Sequence, residues 1–189
     1  MITNLKYVFI VLLLQSCTPE SRIPACEPNE TTQYEYATSE VKGRLPTLWA
    51  FNDYEAGIAC AQRQNKPVFL AFTGFGARTR YFPDEVLQQR TIVNYLTNDF
   101  VPIILYVDDR TKIPTEEIQT ENGVRVLRNV GNVNAYLQEK MFKKSSQPYM
   151  VLMTWDEVLL TKPMGYDRNI ENYIKAFAVA KEAYTKMKK

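Results

Sequence analysis

The stretch that decides the fold runs from residue 66 to residue 80 and reads KPVFLAFTGFGARTR. Its first half, PVFLAF, is a continuous apolar run, which is typical of a strand that is covered on both faces of a sheet. A turn with two glycines follows, and then PDEVLQQRTIVNYL (residues 83–96), whose apolar spacing predicts a helix. A strand, a glycine-containing turn and a helix in this order are typical of both phosphate-binding sites and redox sites.

A phosphate-binding loop is the first interpretation of the two glycines, Gly74 and Gly76. The dinucleotide fingerprint needs a third glycine three residues later and an acidic residue about 20 residues further on. Thr79 occupies the first of these positions, and the acidic residue of the next strand, Asp108, comes 32 residues after Gly76. A Walker loop would need Gly-Lys-Ser/Thr, which the chain lacks. The sequence therefore disfavours a nucleotide site.

The composition excludes several kinds of active site. The chain of 189 residues contains no histidine, so it has no Ser-His-Asp triad, no Cys-His pair and no HExxH zinc site. Its three cysteines, Cys17, Cys26 and Cys60, form no CxxC pair, and we expect neither a metal site nor a cofactor. Basic and acidic residues are mixed along the chain and the net charge is +2, so we expect no nucleic-acid partner.

The first 16 residues have the features of a bacterial lipoprotein signal. Lys6 supplies a short positive region, and residues 7–14 form an apolar run that suits a signal peptide but is too short to span a bilayer. LQSC then places an aliphatic residue three positions before Cys17 and a small residue directly before it, which resembles a lipobox. We expect a protein anchored through lipid on Cys17 in the bacterial cell envelope, on the periplasmic face or in the outer membrane. An ordinary signal peptide with a chance cysteine is the alternative.

The remainder divides into a tether and one domain. Residues 17–44 are polar and rich in Pro, Ser, Thr and Glu, which predicts a flexible tether. Residues 45–189 predict the order βαβαβαββα, an α/β protein with a central mixed sheet flanked by helices. Within it, residues 109–130 are expected to form a polar, irregular insertion. The predicted helices cover residues 52–66, 83–96, 132–142 and 169–187, and the predicted strands cover residues 47–51, 67–72, 100–109, 149–155 and 158–163, with a tight turn at Asp156 and Glu157.

Several separated stretches resemble the C-terminal thioredoxin-like domain of the DsbD family of thiol:disulfide interchange proteins. They are NDYEAGIACAQRQNKPVFLAFTGFGARTR, VNYLTNDFVPIILYVDDRTKIP, GNVNAYLQEKMF and QPYMVLMTWDEVLLTKPMGYD, in that order. The resemblance covers about residues 45 to 186 and implies a thioredoxin-like fold. In that family a redox-active Cys-x-x-Cys follows the strand corresponding to residues 67–72, and a cis-proline, here Pro148, precedes the final hairpin.

Three positions depart from the family pattern. Ala77 and Arg80 stand in the two cysteine positions, and Ala71 stands where the family has a buried aspartate that helps to move protons. The thiolate is the nucleophile in disulfide exchange, so this loop cannot perform dithiol chemistry. We therefore expect a membrane-tethered, non-catalytic protein-binding or assembly module. A DsbD-like thiol:disulfide interchange protein with its cysteines elsewhere is one alternative, and a small-anion or ligand-binding protein is the other.

The same resemblance indicates where an envelope protein or peptide would bind. In active relatives, the rim around the redox loop and the cis-proline holds an extended segment of a partner. Aromatic and arginine side chains, which are enriched in protein interfaces, dominate the corresponding set here: Phe75, Arg78, Arg80, Tyr81, Phe82, Pro148 and Tyr149. Core packing is the alternative role for Phe82 and Tyr149. Arg78, Arg80 and the helix N-terminus would also suit an anion, unless Asp84 pairs with Arg80.

Cys26 and Cys60 remain once Cys17 carries lipid. Cys60 lies on the first predicted helix between Ile58 and Ala61. Its position is charged in the resembled family, so we expect partial exposure, and we interpret Cys60 as an incidental or structural cysteine. A disulfide from Cys26 to Cys60 is the second interpretation, and a catalytic role is the third.

Overall fold

The structure, a computed structural model, describes residue 26 and residues 49–76, 86–121 and 123–188. Its elements in chain order are α1 (Tyr54–Gln64), β1 (Val68–Thr73), α2 (Arg90–Asn98), β2 (Val101–Tyr106), β3 (Lys112–Thr120), β4 (Gly123–Asn129), α3 (Val130–Phe142), β5 (Tyr149–Met153) and α4 (Ile170–Met187). Among the residues so described, no helix has the length and apolar character needed to cross a membrane. The predicted signal peptide and all of the predicted tether except Cys26 lie outside the described residues.

The central sheet has β1 in the middle, parallel to β2 and antiparallel to β5. Single bridges extend it on both sides: Phe51 pairs with Ile103 beyond β2, and Leu159 and Met164 pair with β5. Helices cover both faces of this mixed sheet. The predicted α/β class is therefore confirmed, with the strand order of a thioredoxin-like fold.

β1 is buried over its whole length because both faces of the sheet are covered. On one face, Phe69 and Ala71 pack in a cluster with side chains of α2 and α4, Phe177 among them. On the other face, Leu70 and Phe72 pack in a cluster with α1 and α3. Alternate residues of a strand point to opposite faces, so one apolar run supplies two core layers. Burial of each leucine or phenylalanine side chain in these layers contributes roughly 1.5–3 kcal/mol to the stability of the fold.

The predicted start of α1 is confirmed, and both of its ends are capped. The side chain of Asp53 accepts a hydrogen bond from the main-chain N–H of Ala56 at 2.8 Å. Asn65 ends the helix with a φ of 49°, a left-handed conformation that asparagine tolerates. The hydroxyl of Tyr184 donates to Oδ1 of Asn65 at 3.0 Å, which ties α4 to the end of α1.

In the part of the chain that the structure describes, the helix predicted over residues 83–96 is interrupted: Val86 is helical, residues 87–89 are not, and α2 begins at Arg90. Residues 86–89 form a turn in which the N–H of Gln89 donates to the carbonyl of Val86 at 3.2 Å. Val86 and Leu87 are both fully buried. This turn therefore contributes two side chains to the core ahead of α2.

The prediction of an irregular insertion at residues 109–130 is wrong. β3 and β4 form an antiparallel hairpin in which Thr120 pairs with Gly123 across a two-residue loop. Gly123 has a φ of 106°, which favours glycine. Of residues 112–120 and 123–129, Leu127 alone is buried. The alternation of apolar and polar residues that predicts a half-buried strand is therefore missing from these two segments.

The final hairpin is less regular than predicted. The predicted turn is present, with Glu157 at a φ of 68°. The strand predicted at residues 158–163 is reduced to two bridges, one between Met153 and Leu159 and one between Met150 and Met164. Residues 150–153 of β5 thus lie opposite residues 159–164, so the second segment has two extra residues and forms a bulge. Pro163 lies in this segment and has no N–H for a regular ladder.

Candidate functional site

The predicted site lies at the edge of the sheet where β1 and β2 end and β5 begins. Thr73 at the end of β1 pairs with Tyr106 at the end of β2, since these strands are parallel. Tyr149, the first residue of the antiparallel β5, pairs with Phe72. Four predicted site residues belong to the described part of the chain: Ala71, Phe75, Pro148 and Tyr149. The others, Ala77, Arg78, Arg80 and Tyr81, lie outside it, as do Phe82 and Asp84.

Asp108 holds the start of the loop that follows β1. The main-chain N–H of Phe75 donates to Oδ1 and Oδ2 of Asp108, each at 2.9 Å. A Cβ at position 74 would lie 2.9 Å from Oδ2 of Asp108, so Gly74 leaves the space that the carboxylate fills. A hydrogen bond to an ionised carboxylate is stronger than one between neutral groups. The first glycine of the loop thus accommodates a negative side chain, which would repel a phosphate.

Phe75 is exposed but held in place by an aromatic neighbour. Its side chain is 61% exposed. Its ring stacks on that of Tyr106, with centroids 4.0 Å apart and an angle of 1° between the planes. Such a stack contributes about 0.5–1.5 kcal/mol beyond the burial of area. With its main chain fixed by Asp108 and its ring fixed by Tyr106, Phe75 presents one aromatic face to solvent in a defined orientation.

Gln138 on α3 holds the segment that precedes Pro148. Gln138 is fully buried. Its Nε2 donates to the carbonyl of Ser146 at 2.9 Å, and its Oε1 accepts from Nε2 of Gln147 at 2.9 Å. A buried amide needs such partners for both of its ends. The Gln147–Pro148 peptide bond is cis, as the resemblance implied.

Tyr149 packs against the core and also remains partly exposed. It is half-buried, and its ring lies 5.5 Å from that of Phe142 on α3. Burial raises the pKa of its phenol above the ordinary value of 10.0, so the group stays protonated near neutral pH. One part of the side chain therefore packs against α3, and another part remains accessible beside Pro148.

Ala71 is fully buried among apolar side chains on the face that α2 and α4 cover. The position where the resembled family carries a proton-moving aspartate thus holds no titratable group. Within the residues that the structure describes, no three side chains of His, Cys, Asp or Glu come together as potential metal ligands. The described part of the site consists of apolar, aromatic and amide groups around one carboxylate.

The expectation that Cys60 is partly exposed is wrong. Its side chain faces the core between α1 and the sheet and is 1% exposed. Cys26 lies beside it, half-buried, and both are free thiols in the structure. Cys17 lies outside the described residues.

Sequence reasoning did not identify three residues of the site: Tyr106, Asp108 and Gln138. Asp108 follows a buried strand, and an acidic residue at the carboxyl end of a parallel strand is a usable signal. Gln138 is a polar residue on the buried face of a predicted helix, which is also a detectable irregularity. Tyr106 closes an apolar strand, and nothing in the sequence marks it as the base of an aromatic stack.

Comparison with known proteins gives a structural match of low sequence identity. No model of a known protein family matches the chain, and no curated protein is similar enough to match it. Among solved structures, one described as "DsbH Oxidoreductase" matches with a TM-score of 0.49 and 15% sequence identity, over 76% of this chain and 95% of that chain. The strand order and pairing of this chain themselves give the thioredoxin-like fold.

Proposed function

We propose that this protein is a lipid-anchored protein of the bacterial cell envelope whose thioredoxin-like domain binds an extended segment of a partner protein without catalysis. The observation that carries the proposal is the state of Phe75. At the sheet edge where a redox loop would act, this aromatic side chain is exposed and yet fixed by Tyr106 and Asp108. Rigid exposed aromatics are typical of the anchors in protein interfaces.

The residues of the loop support a binding role over a catalytic one. Position 77 is alanine and position 80 is arginine, so neither supplies a thiolate. Ala71 offers no group to carry a proton to or from this edge. Binding is the property that such a site retains when its reactive groups are replaced.

The main chain before Pro148 supports an extended partner. Among the described residues, none forms a hydrogen bond with the main-chain N–H or carbonyl of Gln147, whose hydrogen bond to Gln138 is made by its side chain. The buried Gln138 keeps this segment in place through Ser146 and the side chain of Gln147. A partner strand that pairs with Gln147 would lie beside Tyr149 and would reach Phe75 across the sheet edge. This is recognition by strand addition, in which the main chain contributes affinity and side chains contribute specificity.

The sequence of the amino terminus supports the envelope location. LQSC at residues 14–17 resembles a lipobox, and a polar segment separates it from the domain. A lipid on Cys17 would keep the binding edge near a membrane while the segment of residues 18–44 allows it to reach partners. Metabolic labelling with a radioactive fatty acid tests this part: the wild-type chain should incorporate label and Cys17→Ser should not.

Site-specific photo-crosslinking in whole cells tests the binding role. A photoreactive phenylalanine analogue at residue 75 should yield a defined adduct with one envelope protein. The matched control places the same analogue at Val179, which is 45% exposed on α4, away from this edge. Adducts of equal yield and identity from both positions, or none from residue 75, would contradict the proposal.

An insulin-reduction assay tests the absence of catalysis. The wild-type protein should be inactive, and Ala77→Cys/Arg80→Cys provides a variant in which the two thiols of the resembled family are restored. Turnover by the wild-type protein would refute the non-catalytic role, and its loss in Cys26→Ala/Cys60→Ala would assign it to these two cysteines, as the thiol:disulfide interchange alternative requires.

A further inference from the structure

Cys26 and Cys60 lie together although 34 residues separate them in the chain. The thiol of Cys26 donates to the main-chain oxygen of Cys60 at 3.7 Å. Cys26 packs against the core cluster on the face that α1 covers. Nε2 of Gln64, one helical turn beyond Cys60, donates to Sγ of Cys60 at 3.3 Å.

This pair is remote from the loop that follows β1. Gly57, three residues before Cys60, faces Ile103 in the middle of β2. From there α1 continues towards Asn65 and the start of β1, so Cys60 lies towards the opposite edge of the sheet from Phe75. The two thiols therefore constitute a separate site.

We propose that Cys26 and Cys60 are a redox pair that forms a disulfide by exchange with an external disulfide, with Cys26 as the attacking thiol and Cys60 as the resolving thiol. This proposal does not depend on the proposed binding function. It assigns thiol chemistry to a pair that includes Cys60 on α1. This pair is remote from the loop after β1, in which Ala77 and Arg80 replace the two cysteines of the resembled family.

Access to solvent determines the order of attack. Cys26 is half-buried and can be approached from outside, whereas Cys60 is 1% exposed. An external disulfide can therefore reach the sulfur of Cys26 but not that of Cys60. Once Cys26 carries the external group, its sulfur remains beside Cys60, which can attack it on losing its proton.

The protonation of the two thiols agrees with this order. Burial by itself raises the pKa of the Cys26 thiol, but hydrogen bonds from Cys60 and Gln64 and the nearby guanidinium of Arg63 bring it below the ordinary value of 9.0. Burial, together with the hydrogen bond and the charge of Cys26, raises the pKa of the Cys60 thiol to about 12. Cys26 is thus the group that supplies a thiolate at moderate pH.

The exchange balances as two displacements. The Cys26 thiolate attacks one sulfur of the external disulfide, which forms a mixed disulfide and releases the first external thiolate. Cys60 then gives up its proton and attacks the Cys26 sulfur, which forms the Cys26–Cys60 bond and releases the second external thiolate. Two cysteine thiols are oxidised, one external disulfide is reduced to two thiols, and the two protons end on these thiols.

Peptide mapping of the unaltered full-length protein tests the pair directly. Trypsin cleaves after Arg22, Lys42, Arg44 and Arg63, so the two cysteines leave in separate peptides, residues 23–42 and residues 45–63. After treatment of the reduced protein with oxidised glutathione and alkylation of the remaining thiols, we expect these two peptides to be recovered cross-linked. Recovery of both peptides without a cross-link, alkylated or carrying glutathione, would overturn the proposal.

Single substitutions test the order of attack. In Cys60→Ala, Cys26 should accumulate one glutathione as a trapped mixed disulfide. In Cys26→Ala, Cys60 should add glutathione at least tenfold more slowly than Cys26 does in Cys60→Ala. Equal rates of glutathione addition at the two positions would refute the assigned order. Since the cross-linking measurement uses the unaltered chain, it decides whether the pair exists even if a substituted chain does not fold.

Discussion

The main-chain N–H of Phe75 donates to both carboxylate oxygens of Asp108, a residue 33 positions further along the chain. This bond joins the loop after β1 to the turn after β2 and places the ring of Phe75 over that of Tyr106. The orientation of the exposed aromatic at the candidate site therefore depends on a carboxylate from another part of the sequence.

Removal of this carboxylate should loosen the loop. We expect Asp108→Ala to lower the free energy of unfolding by about 1–2 kcal/mol, since it removes charge-assisted bonds to an exposed main-chain N–H. It should also reduce the yield of the residue-75 photo-adduct. Urea denaturation measures the first effect. Glu117→Ala, which removes an exposed carboxylate from β3, is the matched control and should change stability by no more than about 0.5 kcal/mol. Equal losses in the two variants would contradict the role of Asp108.

The buried amide of Gln138 should stabilise both the core and the binding edge. Gln138→Leu keeps the approximate size of the side chain but leaves the carbonyl of Ser146 and the amide of Gln147 without their partner. We expect a loss of about 1–3 kcal/mol in the free energy of unfolding. Lys140→Leu, at an exposed position two residues further on α3, serves as the comparison. If Gln138→Leu is as stable as wild type by urea denaturation, these hydrogen bonds do not stabilise the segment.

The glycines of the chain should differ sharply in their tolerance of a methyl group. A Cβ at Gly131 would lie 2.6 Å from the main-chain oxygen of Val107 and 2.7 Å from the main-chain N of Asp109, so the backbone would have to move. We expect Gly131→Ala to cost about 1–3 kcal/mol. A Cβ at Gly76 would meet nothing within 4 Å among the described atoms. Gly76→Ala should therefore be neutral in thermal denaturation, and a similar loss in both variants would show that the contact at Gly131 is unimportant.

The two cysteines should respond differently to pH in the reduced protein. Alkylation proceeds through the thiolate, whose fraction rises as the pH passes the pKa. Because the pKa of Cys26 lies below the ordinary 9.0 and that of Cys60 is raised to about 12, Cys26 should reach its full rate at a lower pH. Timed reaction with iodoacetamide between pH 6 and pH 10, followed by peptide mapping, gives both profiles. The free thiol of denatured protein supplies the reference profile, and coincidence of all three profiles would contradict the assignment.

Much of the fold could be predicted because it depends on local patterns. The apolar run at residues 67–72, the capping residue Asp53 and the helical spacing of α4 each act over a few residues. The irregular last hairpin and the interruption of the helix at residues 87–89 could not be predicted. They follow from how side chains such as Leu87 fill the core, and periodicity within a segment does not report this.

The candidate site also contains some residues that the sequence indicated and others that only the structure identified. The sequence indicated Phe75, Pro148 and Tyr149 through its resemblance to a family, and the structure places them at one sheet edge. It indicated Cys26 and Cys60 as a pair only by elimination, and it gave the wrong exposure for Cys60. The roles of Asp108 and Gln138 were identified only from the hydrogen bonds that they form in the structure.

By itself, the sequence determined which chemistry is absent from the loop after β1, because Ala71, Ala77 and Arg80 carry no thiol or carboxylate whatever their positions in space. It also indicated the four helices and the three central strands, since apolar runs and helical periodicity are properties of short segments. Only the tertiary structure decided that Asp108 fixes Phe75 and that Cys26 lies against Cys60. These contacts join residues 33 and 34 positions apart, and such distances become short only when the sheet and its helices have packed.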